Sequence, residues 1–195
     1  MHKGRVEAFS DGVIAIIITI MVLEMKVPHG SDWGALVALA PVFLSYVLSF
    51  VYVGIYWNNH HHMFQAVDRV DGTVLWANLH LLFWLSLVPF VTGWLGEGGM
   101  HRLPVVLYGV VLTGAAIAYT LLVLALERQH GPASAIERAV GRGVKEWVSI
   151  GIYLSALASA FVFEPLALGL YVVVAVIWLV PDRRFERVLS QGEDR

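Results

Sequence analysis

Long apolar runs separated by short polar stretches dominate this chain and predict membrane-spanning helices. Six runs can be marked, and the first four reach the length of about 20 residues that a helix needs to cross a bilayer. The last two are shorter and meet at Glu164-Pro165, which predicts a tight helical hairpin or, alternatively, one broken re-entrant hairpin. We therefore expect an all-α membrane protein with six transmembrane helices in one domain, residues 1–195. The runs cover residues 9–25, 35–60, 74–95, 104–126, 147–163 and 166–180.

The composition supports a membrane protein. Hydrophobic residues make up 58% of the chain and charged residues 14%, whereas soluble domains have roughly 25% charged residues. The first run ends without a small-residue cleavage motif, so we expect a permanent helix over Arg5–Glu24 rather than a signal peptide. The chain has no cysteine, which excludes disulfides and thiolate metal sites. Its basic residues are scattered in loops, so we expect no nucleic-acid partner.

The distribution of basic residues predicts the orientation in the membrane. With six spans, one side of the bilayer receives eleven Lys and Arg residues and the other side receives only Lys26 and Arg102. Because cytoplasmic loops are enriched in Lys and Arg, both termini are expected in the cytoplasm. The richer side holds Lys3, Arg5, Arg69, Arg128, Arg138, Arg142, Lys145, Arg183, Arg184, Arg187 and Arg195.

One stripe of the first helix combines branched apolar residues with a hydroxyl. At about 100° per residue, Ile16, Thr19, Ile20 and Leu23 share this stripe, whereas Asp11 points well away from it. Around the axis of an oligomer, such a stripe would form aliphatic rings that close a pore by dewetting and a hydroxyl ring that contacts cations. The periodicity alone favours the other interpretation, which is ordinary helix packing.

Polar residues at a similar depth in the first three helices predict a buried layer. An Asp inside an apolar helix is costly and needs a partner, and polar groups in lipid must be hydrogen-bonded. We expect this layer to fix the first helix against the second and third, with Arg5 joining it from the membrane edge. Its expected members are Ser10, Asp11, Asn58, His60, Asn78 and His80.

The same layer leaves two other functions open. A proton-coupled secondary transporter would use Asp11 and the histidines as a relay, although inverted repeats and broken helices are not evident. A metalloenzyme would need His60 to pair with His80 or Asp11, because three consecutive histidines on a helix point about 100° apart and cannot share one ion. We expect no cofactor, no fixed metal site and no enzyme activity.

Three segments in the first three helices carry recognisable motifs. The first is R-x-x-x-F-S-D at Arg5, Phe9, Ser10 and Asp11, continuing through G-V-I-A-I-I-I-T-I-M-V-L-E. The others are Y-W-N-N-H-H-H-M-F on the second helix and N-L-H-L-L-F-W-L-S-L-V-P-F on the third. Together these segments resemble the Transmembrane protein 175 family of cation channels. The third histidine of the run departs from the family pattern. Helices four to six resemble the family only in number, length and hydropathy.

The resemblance implies a potassium-permeable channel without the usual filter loop. It implies the prokaryotic type, with one six-span unit per chain and a homotetramer in the plasma membrane, in contact with lipid and monovalent cations. By position, Ile16 would be the main constriction, Thr19 the hydroxyl near which K⁺ passes, and Leu23 a further ring with Ile20 nearby. The structural layer would comprise Arg5, Phe9, Ser10, Asp11, His60, Asn78 and His80.

Overall fold

The protein is helical throughout the residues that the computed structural model describes, 2–131 and 143–179. In these ranges the regular structure is α-helix apart from one isolated β-bridge between His2 and Arg69. The all-α prediction is therefore confirmed. The predicted basic residues Arg138, Arg142, Arg183, Arg184, Arg187 and Arg195 lie outside the described residues. The helices are α1 Gly4–Leu23, α2 Trp33–Ala38, α3 Ala40–Gln65, α4 Gly72–Ser86, α5 Val88–Glu97, α6 Arg102–His130, α7 Val144–Ser159 and α8 Glu164–Leu179.

Within the described residues, four helical segments are long and apolar enough to cross a membrane, in agreement with the first four predicted spans. They are Gly4–Leu23, Ala40–Gln65, Gly72–Glu97 and Arg102–His130. The chain is thus an integral, multi-pass membrane protein. Helices α7 and α8 have 16 residues each. At 1.5 Å per residue, α7 is about 24 Å long, which is less than the roughly 30 Å of a typical hydrocarbon core.

Two prolines set the breaks in the second and third apolar runs. Pro41 and Pro89 each lie in the first turn of a helix, at the starts of α3 and α5. A proline there needs no backbone N–H, whereas a proline inside a helix would remove a hydrogen bond. The second predicted span therefore divides into α2 and α3, and α3 continues to Gln65 instead of ending at residue 60. Leu87 between α4 and α5 keeps a right-handed helical conformation, so that span bends without unwinding.

Polar contacts at one end of the bundle join the start of α1 to the α3–α4 connection. The Lys3 ammonium donates to the carbonyl oxygen of Phe64 at 2.9 Å. At the same end, Gln129 near the end of α6 donates to the carbonyl oxygen of Arg69 at 3.1 Å. The beginning of α1 and the ends of α3 and α6 therefore lie together.

Two ion pairs mark the opposite end of the bundle. Lys26 Nζ lies 2.6 Å from Glu97 Oε1, and this hydrogen bond and charge raise the pKa of the exposed Lys26 ammonium. Arg102 Nε lies 3.7 Å from Glu164 Oε1. These contacts place the ends of α1 and α5 beside the starts of α6 and α8, so the long helices alternate in direction.

Helix α6 is the central element of the bundle, packing against α4, α5, α7 and α8. A side chain at Gly114 of α6 would collide with the ring of Trp84, and one at Gly109 would collide with Tyr171. These glycines allow close helix approach, as small residues do in membrane bundles. Helix α1 packs against α3, α4 and α5, which leaves one of its faces at the edge of the subunit.

Candidate functional site

Helix α1 has one face buried in its own subunit. Its buried residues recur at intervals of three or four, which is the spacing of one side of an α-helix. Because α3, α4 and α5 cover this face, the rest of α1 is free to meet something outside the subunit. The buried residues are Val6, Ser10, Ile14, Ile17 and Met21.

The stripe predicted from periodicity lies on the uncovered face of α1. Ile16 is 58% exposed and Leu23 is 78% exposed, and Thr19 and Ile20 are also exposed. Packing within one subunit therefore does not explain the stripe. Exposed apolar residues on a membrane helix face lipid, another subunit or a hydrophobic pore.

The Thr19 hydroxyl has a defined orientation on this face. It donates a 2.9 Å hydrogen bond to the carbonyl oxygen of Ile16, one turn back along α1. The hydroxyl hydrogen is thereby directed into the helix, and the oxygen keeps lone pairs available as an acceptor. An oxygen presented in this way can contact a cation.

A wide groove runs beside the stripe, between α1 and α5. On the α1 side it is lined by Ile16, Ile20 and Glu24. On the α5 side Phe90 and Trp94 line it. The groove is open and mainly apolar, so the stripe and its surroundings form one continuous surface on the subunit.

Three of the predicted polar residues form a buried hydrogen-bonded chain. The Asn78 amide donates to Ser10 Oγ at 2.9 Å, and Asn78 Oδ1 lies 2.8 Å from His60 Nε2. All three side chains are buried, and the His60 ring stacks on Phe64 at a centroid distance of 4.4 Å. These hydrogen bonds connect α1, α4 and α3, the three helices that the predicted polar layer was expected to join.

Asp11 has a different partner. Its Oδ1 accepts a 3.0 Å hydrogen bond from the indole Nε1 of Trp57 on α3. The Trp57 ring also stacks on His61 at 5.9 Å with an interplanar angle of 15°. The sequence analysis did not include Trp57 in the polar layer. The missed signal was its indole N–H, which needs an acceptor when the ring is held against a helix.

The remaining predicted residues lie apart from the buried chain. His80 Nε2 accepts a 3.0 Å hydrogen bond from Trp84 Nε1 on an exposed part of α4. Arg5, Phe9 and Asn58 are exposed. Within residues 2–131 and 143–179, no group of three His, Asp or Glu side chains is arranged to hold a metal ion.

Comparison with known proteins identifies the family. The family described as "Endosomal/lysosomal potassium channel TMEM175" matches residues 5–89. A potassium channel from Chryseobacterium sp. (strain P1-3) is 53% identical over 192 residues, covering 98% of this chain and 100% of that protein. This chain belongs to the TMEM175 family. The resemblance inferred from the F-S-D, histidine and proline segments is therefore confirmed.

Other TMEM175 proteins extend the comparison to structure and to animals. The crystal structure of a lysosomal potassium-selective channel TMEM175 homologue from Chamaesiphon minutus superposes with a TM-score of 0.80. It is 31% identical, and the match covers 92% of this chain and 97% of that one. The endosomal/lysosomal proton channel TMEM175 of Mus musculus is 38% identical over 101 residues, covering 46% of this chain and 20% of the mouse protein.

Proposed function

We propose that this protein is a potassium-permeable channel whose pore is lined by α1 at the axis of a homotetramer. The observation that carries the proposal is the stripe of Ile16, Thr19, Ile20 and Leu23, which the subunit leaves uncovered. Its membership of a family with bacterial relatives named potassium channels supports conduction of K⁺. No cofactor is proposed, because conduction of K⁺ requires only the permeant ion and the pore.

Several subunits are required because one helix cannot enclose a path for ions. Helix α1 packs on its own subunit through one face, and the opposite face is long, apolar and continuous with the α1–α5 groove. A fourfold arrangement brings four such faces to one axis. Native mass spectrometry in mild detergent is expected to give four times the subunit mass of 21.6 kDa.

The constriction in this proposal is hydrophobic. Rings of Ile16, with Ile20 nearby and Leu23 further along, exclude water when the pore is narrow and so raise the barrier to ions. The β-branched side chains of Ile16 and Ile20 are stiff at χ1, which keeps the opening narrow. No filter of backbone carbonyls is required.

Cation preference is assigned to Thr19. Its hydroxyl donates to its own helix, so a ring of Thr19 oxygens would face the axis as acceptors. Such a ring replaces only part of a hydration shell, so we expect a preference for K⁺ over Na⁺ that is modest compared with carbonyl filters. Ser10, Asp11, His60 and Asn78 are assigned to support of the pore helix, because their hydrogen bonds join α1 to α3 and α4.

The proposed topology is one six-span unit, with α7 and α8 as the last two spans. Both termini lie on the cytoplasmic side of a prokaryotic plasma membrane, because that side receives eleven of the thirteen Lys and Arg residues. The shortness of α7 is compatible with local thinning of the bilayer around a short helix.

A channel is favoured over the transporter alternative. Leu87 keeps a helical conformation where the third span bends, whereas transporters bind substrate at unwound segments near the midplane. The relatives are also named as channels rather than carriers.

Planar-bilayer recording of the purified protein under opposed K⁺ and Na⁺ gradients tests the proposal. We expect unitary currents that reverse close to the potassium equilibrium potential. Slow, saturable uptake without unitary currents would instead identify a transporter and would contradict the channel.

A further inference from the structure

A groove between α4 and α6 opens on the surface of the subunit, and none of its described lining residues belongs to α1. It has a volume of about 610 Å³, within the range of roughly 300–1,000 Å³ found for small-molecule sites. Thr73 and Arg128 line one part of the groove, and Leu121 and Leu124 line it further along α6. The groove is therefore large enough for a ligand and has a polar part and an apolar part.

The groove runs from the surface of the membrane into its core. Helix α6 has 29 residues and is about 43 Å long, which matches the roughly 40–45 Å of a bilayer with its head groups. Arg128 is in the last turn of α6 and so lies at head-group depth. Leu121 precedes it by two turns and lies about 10 Å deeper, in the hydrocarbon core. Trp76, exposed and one turn into α4, fits this depth because Trp is enriched at membrane interfaces.

Arg128 supplies a positive charge at the polar end of the groove. Its side chain is exposed, and it takes part in neither of the two ion pairs found among the described residues, both of which lie at the other end of the bundle. Asp71 also lines the groove, but its carboxylate is turned to the start of α4, where Oδ1 accepts a 2.8 Å hydrogen bond from the Val74 N–H. The polar end is therefore suited to an anionic group.

Aliphatic side chains continue the groove toward the middle of the bilayer. Leu121 is 46% exposed and Leu124 is 38% exposed, although α6 packs against four other helices of the subunit. Such a surface can hold an acyl chain by packing. Because lipid tails are as apolar as leucine, this packing does not distinguish one phospholipid from another. The choice of lipid is therefore made at the head group.

We infer that the α4–α6 groove binds a phospholipid with a net negative head group. The phosphate lies against the Arg128 guanidinium, whose planar fork suits phosphate oxygens, and one acyl chain follows Leu121 and Leu124. Basic pockets between membrane helices bind anionic lipids in this way. A zwitterionic lipid is disfavoured, because its own ammonium offsets the attraction of its phosphate to a single arginine. The assignment of this lipid to the cytoplasmic leaflet rests on the proposed topology.

Native mass spectrometry of the purified channel, titrated in mild detergent with phosphatidylglycerol or with phosphatidylcholine of the same acyl chains, tests the inference. We expect one phosphatidylglycerol to bind saturably per subunit. Its dissociation constant should be about fivefold lower than that of phosphatidylcholine, which is the effect of one arginine near a membrane surface. Equal constants for the two lipids would overturn the inference. Absence of saturable binding would also overturn it and would leave a neighbouring subunit as the occupant of the groove.

Substitutions of Arg128 assign the lipid preference to this groove. Arg128→Gln removes the charge and is expected to abolish most of the fivefold preference, whereas Arg128→Lys keeps the charge and should retain it. Arg5→Gln is the matched control, because it removes the same charge from an exposed position on α1, at the same end of the bundle but outside the groove. It should leave the preference unchanged.

Thr73→Glu tests the same place by a different means. Thr73 is exposed, lines the groove and lies in the first turn of α4, where a carboxylate is favourable for the helix. The added negative charge should weaken phosphatidylglycerol binding by about fivefold. Thr73→Gln adds a side chain of the same size without the charge and should not weaken it.

A preference that survives both Arg128→Gln and Thr73→Glu would place the lipid elsewhere and would overturn the inference. So would a loss of preference in Arg5→Gln as large as that in Arg128→Gln. Gel filtration and thermal unfolding show that each variant remains folded, and the altered side chains are exposed. Because the readout is the mass of bound lipid in detergent, it depends neither on current nor on orientation, so its failure would not affect the channel proposal.

Discussion

The indole Nε1 of Trp57 donates a 3.0 Å hydrogen bond to Oδ1 of Asp11, joining α3 to α1. It lies beside the buried chain of Ser10, Asn78 and His60 but is separate from it. Two adjacent residues of α1 therefore bind two different neighbouring helices. In the proposed channel, this arrangement holds the pore helix in a fixed rotation, so that its uncovered stripe faces the axis.

Trp57→Phe is expected to destabilise the protein modestly. The substitution keeps an aromatic ring on α3 but removes the donor to Asp11, so the free energy of unfolding should fall by about 1 kcal/mol. Thermal unfolding in detergent micelles measures the effect. Trp76→Phe is the matched control, because Trp76 is the more exposed indole. An equal loss in both variants would mean that the bond to Asp11 contributes nothing.

Asn78→Ala is expected to lower the free energy of unfolding more than Trp57→Phe does. Asn78 is the central member of the buried chain, so its removal leaves both Ser10 and His60 without their partner. Unsatisfied buried polar groups cost about 1–3 kcal/mol, so we expect a loss of about 2 kcal/mol or more. Asn58→Ala, at an exposed position of α3, should change unfolding little. If Asn78→Ala and Asn58→Ala were equally stable, the buried hydrogen bonds of Asn78 would not be what fixes α1.

The sequence indicated which helices the polar layer joins but not which residues face one another. Ser10 and Asp11 point about 100° apart on α1, and Asn78 and His80 about 200° apart on α4, so neither pair can share one contact. Which member of each pair faces inward depends on how the whole helix is rotated. Packing of Val74, Leu81 and Leu85 into the core sets that rotation for α4 and turns His80 outward to Trp84.

The sequence predicted which residues share the stripe of α1, although its periodicity alone favoured ordinary helix packing, whereas the interior of the subunit could not be predicted. The wheel placed Ile16 and Leu23 on one face because a single straight helix has a fixed period. A small aromatic cavity in the interior combines residues from four helices, including Tyr56 and Trp178, which are over a hundred positions apart. Only the packing of α6 against its neighbours brings such residues together.

Ile16→Ala is expected to increase the K⁺ conductance. A smaller side chain widens the proposed ring and weakens dewetting, so the barrier to ions falls. Single-channel recording in symmetric KCl measures the change. Val22→Ala also shortens a β-branched side chain, at an exposed position outside the stripe, and should leave conductance unchanged. If Ile16→Ala had the parent conductance, the constriction would lie elsewhere.

Thr19→Val and Thr19→Ser separate the effect of the hydroxyl on ion selectivity from the effect of the side-chain shape. Valine keeps the branched shape and loses the oxygen, so the preference for K⁺ over Na⁺ should fall. Serine keeps a hydroxyl that can donate to the carbonyl oxygen of Ile16 in the same way, so the preference should be largely retained. Reversal potentials under K⁺ and Na⁺ gradients measure the ion preference of each variant. A selectivity unchanged by Thr19→Val would exclude this hydroxyl as a selectivity element.

The central claim is that the uncovered stripe of α1 lines the conduction path, and cysteine accessibility tests it most directly. The native chain has no cysteine, so one introduced thiol is the only target for a reagent. We predict that a positively charged methanethiosulfonate blocks most of the K⁺ current of Leu23→Cys and has no effect on Val22→Cys, the adjacent exposed residue. Current that is unaffected in Leu23→Cys, or blocked equally in both variants, would contradict a pore lined by this face of α1.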